Sequence, residues 1–382
     1  MRNSSSRGGF CRRATLAAVT SRAGREGGLR IYADRGALPE GTPHVAMLYP
    51  LWGAPPENPE DPSHGRYDRL VSEGTAFFTL SPLEAADVVL FPVPWEIAKD
   101  RPEAVEEAQR LSRLAAEHEK PFLIFFWSDS AEPVPIEPSI VFRTSLYRSR
   151  RQPNELAMPA WSEDFLERYL AGEQAIRPRL ERPLVGFCGF DAPPSRTSTA
   201  IVKRLLGRPI MSPRGRALAA LAASKEIDTR FVVRDRFFGD NLLPSGQADY
   251  GVMQRVRQQY VENMIETDYA LAVRGDGNFS YRLYEILSCG RPPLFVNTDC
   301  VVPFDRELDW KRFTVWVDES ELDSVADRLV EFHAGLDDDS FADLQHRCRQ
   351  VWLDFLSPQG FFRHLHLHFR RDGDGRLRPA TP

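Results

Sequence analysis

Short apolar runs alternate with helical stretches along most of this 382-residue chain, and this rhythm constrains the fold more than any other feature. Several runs, such as Phe122–Trp127 and Tyr269–Val273, show no polar alternation, which is typical of strands buried on both faces of a parallel sheet. The clearest helix is predicted over Glu103 to Glu119, where apolar residues fall on one stripe. The rhythm therefore predicts doubly wound α/β domains.

The remaining elements are predicted from the same patterns. Further strands are predicted at Arg30–Ala33, His44–Tyr49, Asp87–Pro92, Ile140–Thr144, Leu184–Cys188, Arg230–Val233, Pro293–Val296 and Phe313–Val317. Further helices are predicted at Ser162–Ala171, Ser195–Leu206, Met253–Ile265, Tyr281–Ser288 and Glu321–Phe332.

A polar stretch from Gly172 to Glu181 divides these elements into two sets. We predict one Rossmann-like domain over residues 29–178 and a second over 179–340, with the helices of 341–382 packing back on the first domain ahead of a loose tail. The first 28 residues are rich in Arg, Ser and Gly and are predicted to be a disordered leader. Their apolar part, Ala14 to Thr20, is too weak for a signal peptide.

Composition narrows the classes of partner. A net charge of -5 with 27% charged residues gives no reason to expect nucleic acid or an anionic membrane as a partner. The five cysteines form no CxxC pair, which disfavours a disulfide framework or a zinc site and favours a reducing compartment. No run approaches the roughly 18 apolar residues of a transmembrane segment. We therefore expect a cytoplasmic protein, either free or peripheral at a membrane.

The most informative stretch joins the strand Tyr269–Val273 to a glycine-containing loop and the helix Tyr281–Ser288. The free backbone N–H groups and positive dipole of a helix N-terminus favour an anion such as phosphate. Arg274 adds a charge with bidentate reach, and Gly275 and Gly277 permit close backbone approach.

On the helix, Glu285 can share a face with Tyr281, four positions before it, and with Arg282, three positions before it. A carboxylate at Glu285, one turn beyond a phosphate, can accept hydrogen bonds from a ribose diol, as acidic residues do in dinucleotide folds. The alternative is an ordinary ion pair between Arg282 and Glu285 on the helix surface.

This stretch resembles the exostosin-type (GT47-like) glycosyltransferases. The family pattern is a strand, Arg-Gly-Asp, a polar linker and Ser-x-Arg-x-x-Glu, and here it reads from Ala272 to Glu285, followed by Gly290, Pro292 and Val302-Pro303-Phe304. Weaker similarity lies at Ser81–Pro94 and Arg182–Gly189.

The resemblance implies a GT-B fold of two Rossmann-like domains facing across a cleft. It further implies an inverting transferase that moves a sugar from a nucleotide sugar, usually a UDP-sugar, to a glycan or lipid-linked glycan, with no cofactor and no metal. The first domain would hold the acceptor and the second the donor. The implied donor-binding residues are Gly189, Arg274, Gly275, Asp276, Gly277, Asn278, Ser280, Tyr281, Arg282 and Glu285.

The catalytic base is expected on a loop after a strand of the first domain, because ligands of open α/β sheets bind beyond the carboxyl ends of strands. Asp129 is the first candidate and Glu96 the second, although a plain loop or capping role for Asp129 stays open. The family's His-Asp pair stands here as Ser128-Asp129, and Arg291-Pro292-Pro293 replaces its usual turn. A non-catalytic glycan- or nucleotide-binding protein on the same fold is the alternative.

Overall fold

The computed structural model describes residues 28–36, 41–191, 211–234, 249–373 and 377–379. The helix predicted at Ser195–Leu206 lies outside the described residues, as do nearly all of the predicted leader and the last residues of the chain.

The first domain is built on a six-stranded, wholly parallel sheet with the order β2-β1-β3-β4-β5-β6. Its strands are β1 Leu29–Tyr32, β2 Phe78–Leu80, β3 Val88–Leu90, β4 Phe122–Phe126, β5 Ile140–Arg143 and β6 Glu155–Ala157. The strand order reverses between β1 and β3, which makes this a doubly wound sheet.

The second domain is built on a five-stranded parallel sheet with the order β11-β10-β9-β7-β8. Its strands are β7 Leu184–Phe190, β8 Asp228–Arg234, β9 Tyr269–Ala272, β10 Pro293–Asn297 and β11 Val315–Asp318. Its order reverses between β7 and β9, which is the point where doubly wound sheets bind ligands. A short antiparallel pair, β12 Phe369–Arg371 and β13 Leu377–Pro379, follows near the end of the chain.

Helices surround both sheets. They are α1 Tyr49–Trp52, α2 Asp68–Glu73, α3 Trp95–Ala98, α4 Pro102–Glu117, α5 Phe165–Tyr169, α6 Pro213–Ala223, α7 Tyr250–Ile265, α8 Tyr281–Ser288, α9 Val325–Ala334, α10 Asp338–Val351 and α11 Pro358–Arg363. A π-helical turn, Trp352–Leu356, joins α10 to α11. The elements of the described residues also include short 3₁₀ turns at Ala46–Leu48, Gly74–Ala76, Leu83–Ala85, Arg148–Arg150, Trp310–Arg312, Glu319–Ser324 and Leu365–His368.

Strand β4 shows why its sequence lacks polar alternation. Leu123 and Phe125 enter one hydrophobic cluster, whereas Phe122, Ile124 and Phe126 enter another that includes α4. Successive side chains of a strand point to opposite faces, so a strand covered on both faces needs apolar residues throughout. This confirms the predicted parallel, doubly wound class of fold.

The last helix packs against the first domain. Phe362 lies 5.7 Å from Phe78 and 5.8 Å from Phe125 between ring centroids, and Arg363 forms a 2.9 Å salt bridge with Glu73. The chain therefore crosses back after the second sheet, and the apolar core continues between the two domains.

The prediction of a strand at His44–Tyr49 is wrong. The segment forms a 3₁₀ turn that leads directly into α1. Pro50 occupies the first turn of that helix, where its missing N–H costs nothing and its φ suits the helix. Strands β2 and β6, of three residues each, were not predicted.

The carboxyl edges of the two sheets face each other. The loop that follows β9 contacts the loops that follow β4 and β5: the Gly277 amide donates to Asp129 at 3.2 Å and the Asn278 amide donates to Ser145 at 3.0 Å. Two Rossmann-like sheets opposed in this way form the predicted GT-B architecture, which is confirmed, with the candidate site at the junction.

Candidate functional site

Helix α8 begins and ends where its sequence dictates. Ser280 is the residue before its first turn, with extended backbone, and Gly290 ends the turn after it with a φ of +64°, a left-handed conformation that glycine adopts without strain. Residues Leu283 to Ser288 are buried. The helix N-terminus is thereby fixed beside the carboxyl ends of β7 and β9.

Two arginines, Arg214 and Arg282, meet at that place, and a third lies on the adjoining loop. Arg274 stands two residues past the end of β9. Arg282 donates from Nη2 to the Cys188 carbonyl on β7 at 2.7 Å. Arg214 donates from Nη2 to the Arg274 carbonyl at 2.9 Å and from Nη1 to the Phe190 carbonyl.

These three guanidinium groups form no salt bridge with any residue that the structure describes. The Nε atoms of Arg214 and Arg274 are buried and have no hydrogen-bond partner among those residues. Burial and the nearby Arg282 lower the pKa of Arg214. Such a concentration of positive charge is suited to a ligand that carries several negative charges.

Sequence analysis missed Arg214. It lies in the first turn of α6, which Ser212 caps by accepting from the Gly215 amide at 2.9 Å. The Ser-Pro pair at positions 212 and 213 indicates a helix start, but only the strand order places that start beside β9, 60 residues along the chain from Arg274.

Gly189 and Arg282, both predicted donor-binding residues, are in contact. A Cβ at Gly189 would lie 2.4 Å from Nη2 of Arg282. The Arg282 guanidinium also lies over the rings of Phe187, at 4.2 Å, and Tyr260, at 5.1 Å. Glycine at 189 therefore leaves the space in which Arg282 reaches the end of β7.

The loop after β9 has an attached half and an open half. A Cβ at Gly277 would lie 2.6 Å from Oδ1 and 2.8 Å from Cα of Asp129. Asn278 is 1% exposed, and its side chain donates to the Leu146 carbonyl at 3.1 Å and accepts from Thr298 at 2.7 Å. Both residues thus hold the loop against the first domain.

The open half consists of Gly275 and Asp276, which are exposed, and a Cβ at Gly275 would meet nothing within 4 Å. The buried Ser280 follows, and then the exposed Tyr281, whose hydroxyl accepts from Nε1 of Trp127 at 2.5 Å. The predicted donor loop is therefore accessible at Gly275 and Asp276, beside the arginines.

Glu285 occupies a different environment from the one expected. It is 5% exposed, with Oε1 accepting from Nη1 of Arg257 at 3.0 Å and Oε2 accepting from the Tyr260 hydroxyl. The same Tyr260 hydroxyl accepts from Nε of Arg282 at 3.2 Å. The expected cleft-facing carboxylate is thus a buried group that orients Tyr260 and, through it, Arg282.

Arg257 extends this buried network to Glu163 of the first domain. It donates from Nε and Nη2 to Oε1 of Glu163 at 3.0 and 2.6 Å. Burial acts to lower the pKa of Arg257, but Glu285 and Glu163 outweigh it and raise that pKa. The network therefore keeps its charges paired.

The two candidate bases differ in environment. Glu96 lies in the first turn of α3, the helix that follows β3, is half-buried, and accepts from the Trp127 amide at 3.0 Å. Burial raises the pKa of its carboxyl above the ordinary value of 4.5. Asp129 is exposed, and its Oδ1 accepts from the Gly277 amide.

Around Glu96 the first domain presents aromatic rings and one further arginine. The Arg66 guanidinium lies over the rings of Tyr67, at 6.0 Å, and Trp127, at 5.7 Å, and Trp161 packs 5.2 Å from Trp127. Aromatic faces with nearby polar groups are a common surface for sugar rings and other amphipathic ligands.

Within the described residues, no cluster of three or more His, Cys, Asp or Glu side chains is placed to hold a metal ion. None of the helices in the same part of the chain has the length and apolar character needed to cross a membrane.

Comparison with known proteins gives limited similarity. No family model matches the chain. One stretch of 85 residues is 32% identical to part of Exostosin-1 of Drosophila melanogaster; it covers 22% of this chain and 11% of that protein's length. The chain is thus similar to a small part of a much longer protein.

Two solved structures match the chain at low similarity. The match to TarM covers 69% of this chain and 57% of the TarM chain, with 9% identity and a TM-score of 0.29. The match to a glycosyltransferase from Rickettsia africae ESF-5 covers 90% of this chain and 97% of the other chain, with 8% identity and a TM-score of 0.35. At such scores the fold assignment rests on the two parallel sheets themselves.

Proposed function

We propose that the chain is an inverting glycosyltransferase that binds a UDP-sugar at the carboxyl ends of β7 and β9 and transfers the sugar to a hydroxyl of a glycan or lipid-linked glycan. The observation that carries this proposal is the position of Arg214 and Arg282, with Arg274 on the adjoining loop, at the switch point of the second sheet. The exostosin-like motif and the short match to Exostosin-1 support the same class.

The diphosphate would lie between the three guanidinium groups and the N-terminus of α8. Bidentate guanidinium–phosphate contacts are strong and directional, and the helix dipole adds to them. In the transfer step the bond from the anomeric carbon to the diphosphate oxygen breaks, and the diphosphate leaves with its negative charge. The arginines would stabilise that developing charge.

The proposal includes no metal, since these cations would offset the charge of the leaving group. Titration of UDP with and without EDTA tests this part. Equal affinities are expected, and a complete loss in EDTA that Mn²⁺ restores would contradict it.

The acceptor hydroxyl needs a general base as it attacks the anomeric carbon. Glu96 suits this role better than Asp129, because a base works best with a pKa near the working pH and burial moves the pKa of Glu96 in that direction. Asp129 is better suited to holding the Gly277 amide and, with it, the donor loop.

A screen of nucleotides and nucleotide sugars by thermal shift tests the donor proposal. A ligand that binds the folded protein raises the melting temperature by mass action, so UDP and at least one UDP-sugar should do so, and uridine less. Slow release of UDP from the same sugar nucleotide would distinguish an enzyme from a binding protein. Absence of any shift with UDP at millimolar concentration would overturn the proposal.

A further inference from the structure

A groove separates α7 of the second domain from α5 and the loop before α2, which belong to the first domain. Its volume is about 420 Å³, within the range of roughly 300–1,000 Å³ that is typical of ligand pockets. Its walls include Pro62 on the loop, Arg168 and Tyr169 on α5, and Gln254 and Gln258 on α7. The groove is distinct from the donor site, because none of the three arginines of that site lines it.

Several polar groups of the groove are only weakly engaged within the protein. Nε2 of Gln254 donates to the Glu60 carbonyl at 3.4 Å, and the Tyr169 hydroxyl donates to the Pro62 carbonyl at 3.5 Å. Both distances exceed those of ordinary hydrogen bonds. Gln258 is exposed and makes one hydrogen bond within its own helix, at 2.9 Å. These groups can therefore turn to a ligand at little cost.

The charges of the lining limit the class of ligand. Arg168 and Glu262, the charged residues of the described lining, have opposite signs, and Arg168 already donates to the Asp61 carbonyl at 3.2 Å. A nucleotide or a phosphate would require a surplus of positive charge. A purely apolar ligand would displace water from the glutamine amides without replacing its hydrogen bonds. The occupant is therefore a neutral polar molecule.

A glycan fits this lining better than a peptide does. Sugar hydroxyls donate and accept, as side-chain amides do, and the Tyr169 ring with the neighbouring aliphatic side chains offers apolar surface for the faces of sugar rings. Peptides commonly bind by pairing with a strand edge or by laying an apolar helix face into an apolar groove. This groove lies between helices and has amides along one wall, so neither mode applies.

The loop before α2 connects the groove to the aromatic surface around Glu96. Pro62 lines the groove, and the Arg66 guanidinium lies 5.7 Å from the ring of Trp127, whose amide donates to Glu96. Four residues of chain span at most about 14 Å, so the Cα atoms of Pro62 and Arg66 are no farther apart than that. A glycan of a few linked sugars is long enough to reach from the candidate base to the groove.

We propose that the groove binds a neutral glycan chain, namely the part of the acceptor that lies away from the reacting hydroxyl. This inference rests on the proposed function, since it takes the aromatic surface around Glu96 as the place of transfer. The amides of Gln254 and Gln258 would bind sugar hydroxyls, and the ring of Tyr169 would pack against a sugar face. The enzyme would then bind long acceptors more tightly than short ones.

Calorimetric titration of neutral oligosaccharides tests the groove directly. The probes are maltohexaose, cellohexaose, chitohexaose and xylohexaose, each with the disaccharide of its own series, and UDP is titrated separately. We expect the parent to bind at least one hexasaccharide about tenfold or more tightly than its disaccharide. In the double variant Gln254→Ala, Gln258→Ala, that hexasaccharide should bind about tenfold or more weakly, as expected for two lost hydrogen bonds, with disaccharide and UDP affinities within about twofold of the parent.

Gln259→Ala is the matched control. Gln259 is the next residue of the same helix and is also exposed, but it accepts from Arg234 at 2.6 Å and does not line the groove. This variant should leave hexasaccharide affinity unchanged.

Equal hexasaccharide affinity in the parent and the double variant would overturn the groove as the binding site. A parent that binds UDP but none of the four hexasaccharides at millimolar concentration would also overturn it, and would favour a protein segment as the occupant. Failure of the parent to bind UDP at all would instead overturn the proposed function.

Discussion

Glu285 and Arg257 form a 3.0 Å salt bridge in the interior, with side chains 7% and 11% exposed. Removing one partner of a buried pair costs about 3–5 kcal/mol when it leaves an uncompensated charge, but Arg257 keeps Glu163 as a partner. We therefore expect Glu285→Ala to lower the free energy of unfolding, measured by urea denaturation, by less than that amount, and to weaken UDP binding through a misplaced Arg282.

Glu266→Ala is the control for that variant, because Glu266 pairs with Arg230 at the surface and exposed pairs contribute about 0–1 kcal/mol. The sequence alone suggested a ribose-binding Glu285 that faces the cleft. A Glu285→Ala protein that kept the parent's stability while losing uridine affinity would restore that first interpretation.

Arg214→Lys tests the diphosphate site. Lysine keeps the charge but loses the planar fork that binds a phosphate with two hydrogen bonds, so we expect UDP affinity to fall about tenfold, or 1.4 kcal/mol. Uridine affinity should not change. Arg216→Lys is the matched control, because Arg216 lies on the same helix but forms a salt bridge with Asp323. A parallel loss of uridine affinity would mean that Arg214 acts on the fold or on the base.

Glu96→Gln tests the general base. We expect transfer to slow by roughly 10²–10⁴-fold with little change in donor affinity. The base must be deprotonated, and burial raises its pKa above 4.5, so parent activity should fall as pH drops through that raised value. This fall in activity at low pH, the acidic limb of the pH profile, should be absent in Glu96→Gln. If Asp129→Asn removes the limb and Glu96→Gln retains it, the two roles are exchanged.

Gly277→Ala tests the attachment of the donor loop. The new methyl group would meet backbone and side-chain atoms of Asp129 within 3 Å, and overpacking of this kind costs about 1–3 kcal/mol. Lower thermal stability and weaker donor binding are expected together. Gly275→Ala, with open space around its Cβ, should leave stability nearly unchanged; equal effects of the two would argue against a close approach at Gly277.

His368 predicts how stability depends on pH. It stacks on Phe304 at 4.9 Å, and its Nε2 is buried without a partner among the described residues. Burial lowers its pKa from 6.5 to about 3. The unfolded chain therefore binds a proton more readily, so stability is full above about pH 6.5 and is lost as pH falls toward 3.

Because His368 takes up at most one proton on unfolding, it should lower the free energy of unfolding by at most about 1.4 kcal/mol for each pH unit. Urea denaturation at a series of pH values measures it, and His368→Phe should flatten this part of the profile. An unchanged slope in that variant would assign the acid sensitivity to other groups.

Local sequence determined the elements and their class. Apolar runs without polar alternation, as in β4 and β9, required cover on both faces, and Gly290 with Pro292 required α8 to end where it does. The charge of Arg274 at a strand end, together with the helix start that follows it, likewise indicated an anion site from local pattern alone. These are short-range properties, because each depends on residues within about one element of each other.

Tertiary structure alone decided which side chains meet. Arg214 joins Arg274 only because α6 starts beside the end of β9, and Glu163 reaches Glu285 only through Arg257, which belongs to a third segment. Glu285 was assigned a cleft-facing role from position, yet the packing of α7 encloses it, whereas Asp129 stays exposed with Oδ1 accepting from the Gly277 amide. Periodicity specifies which face of an element is apolar, whereas the partner of a polar group depends on contacts between segments distant in the chain, and those are specified only when the two sheets pack together.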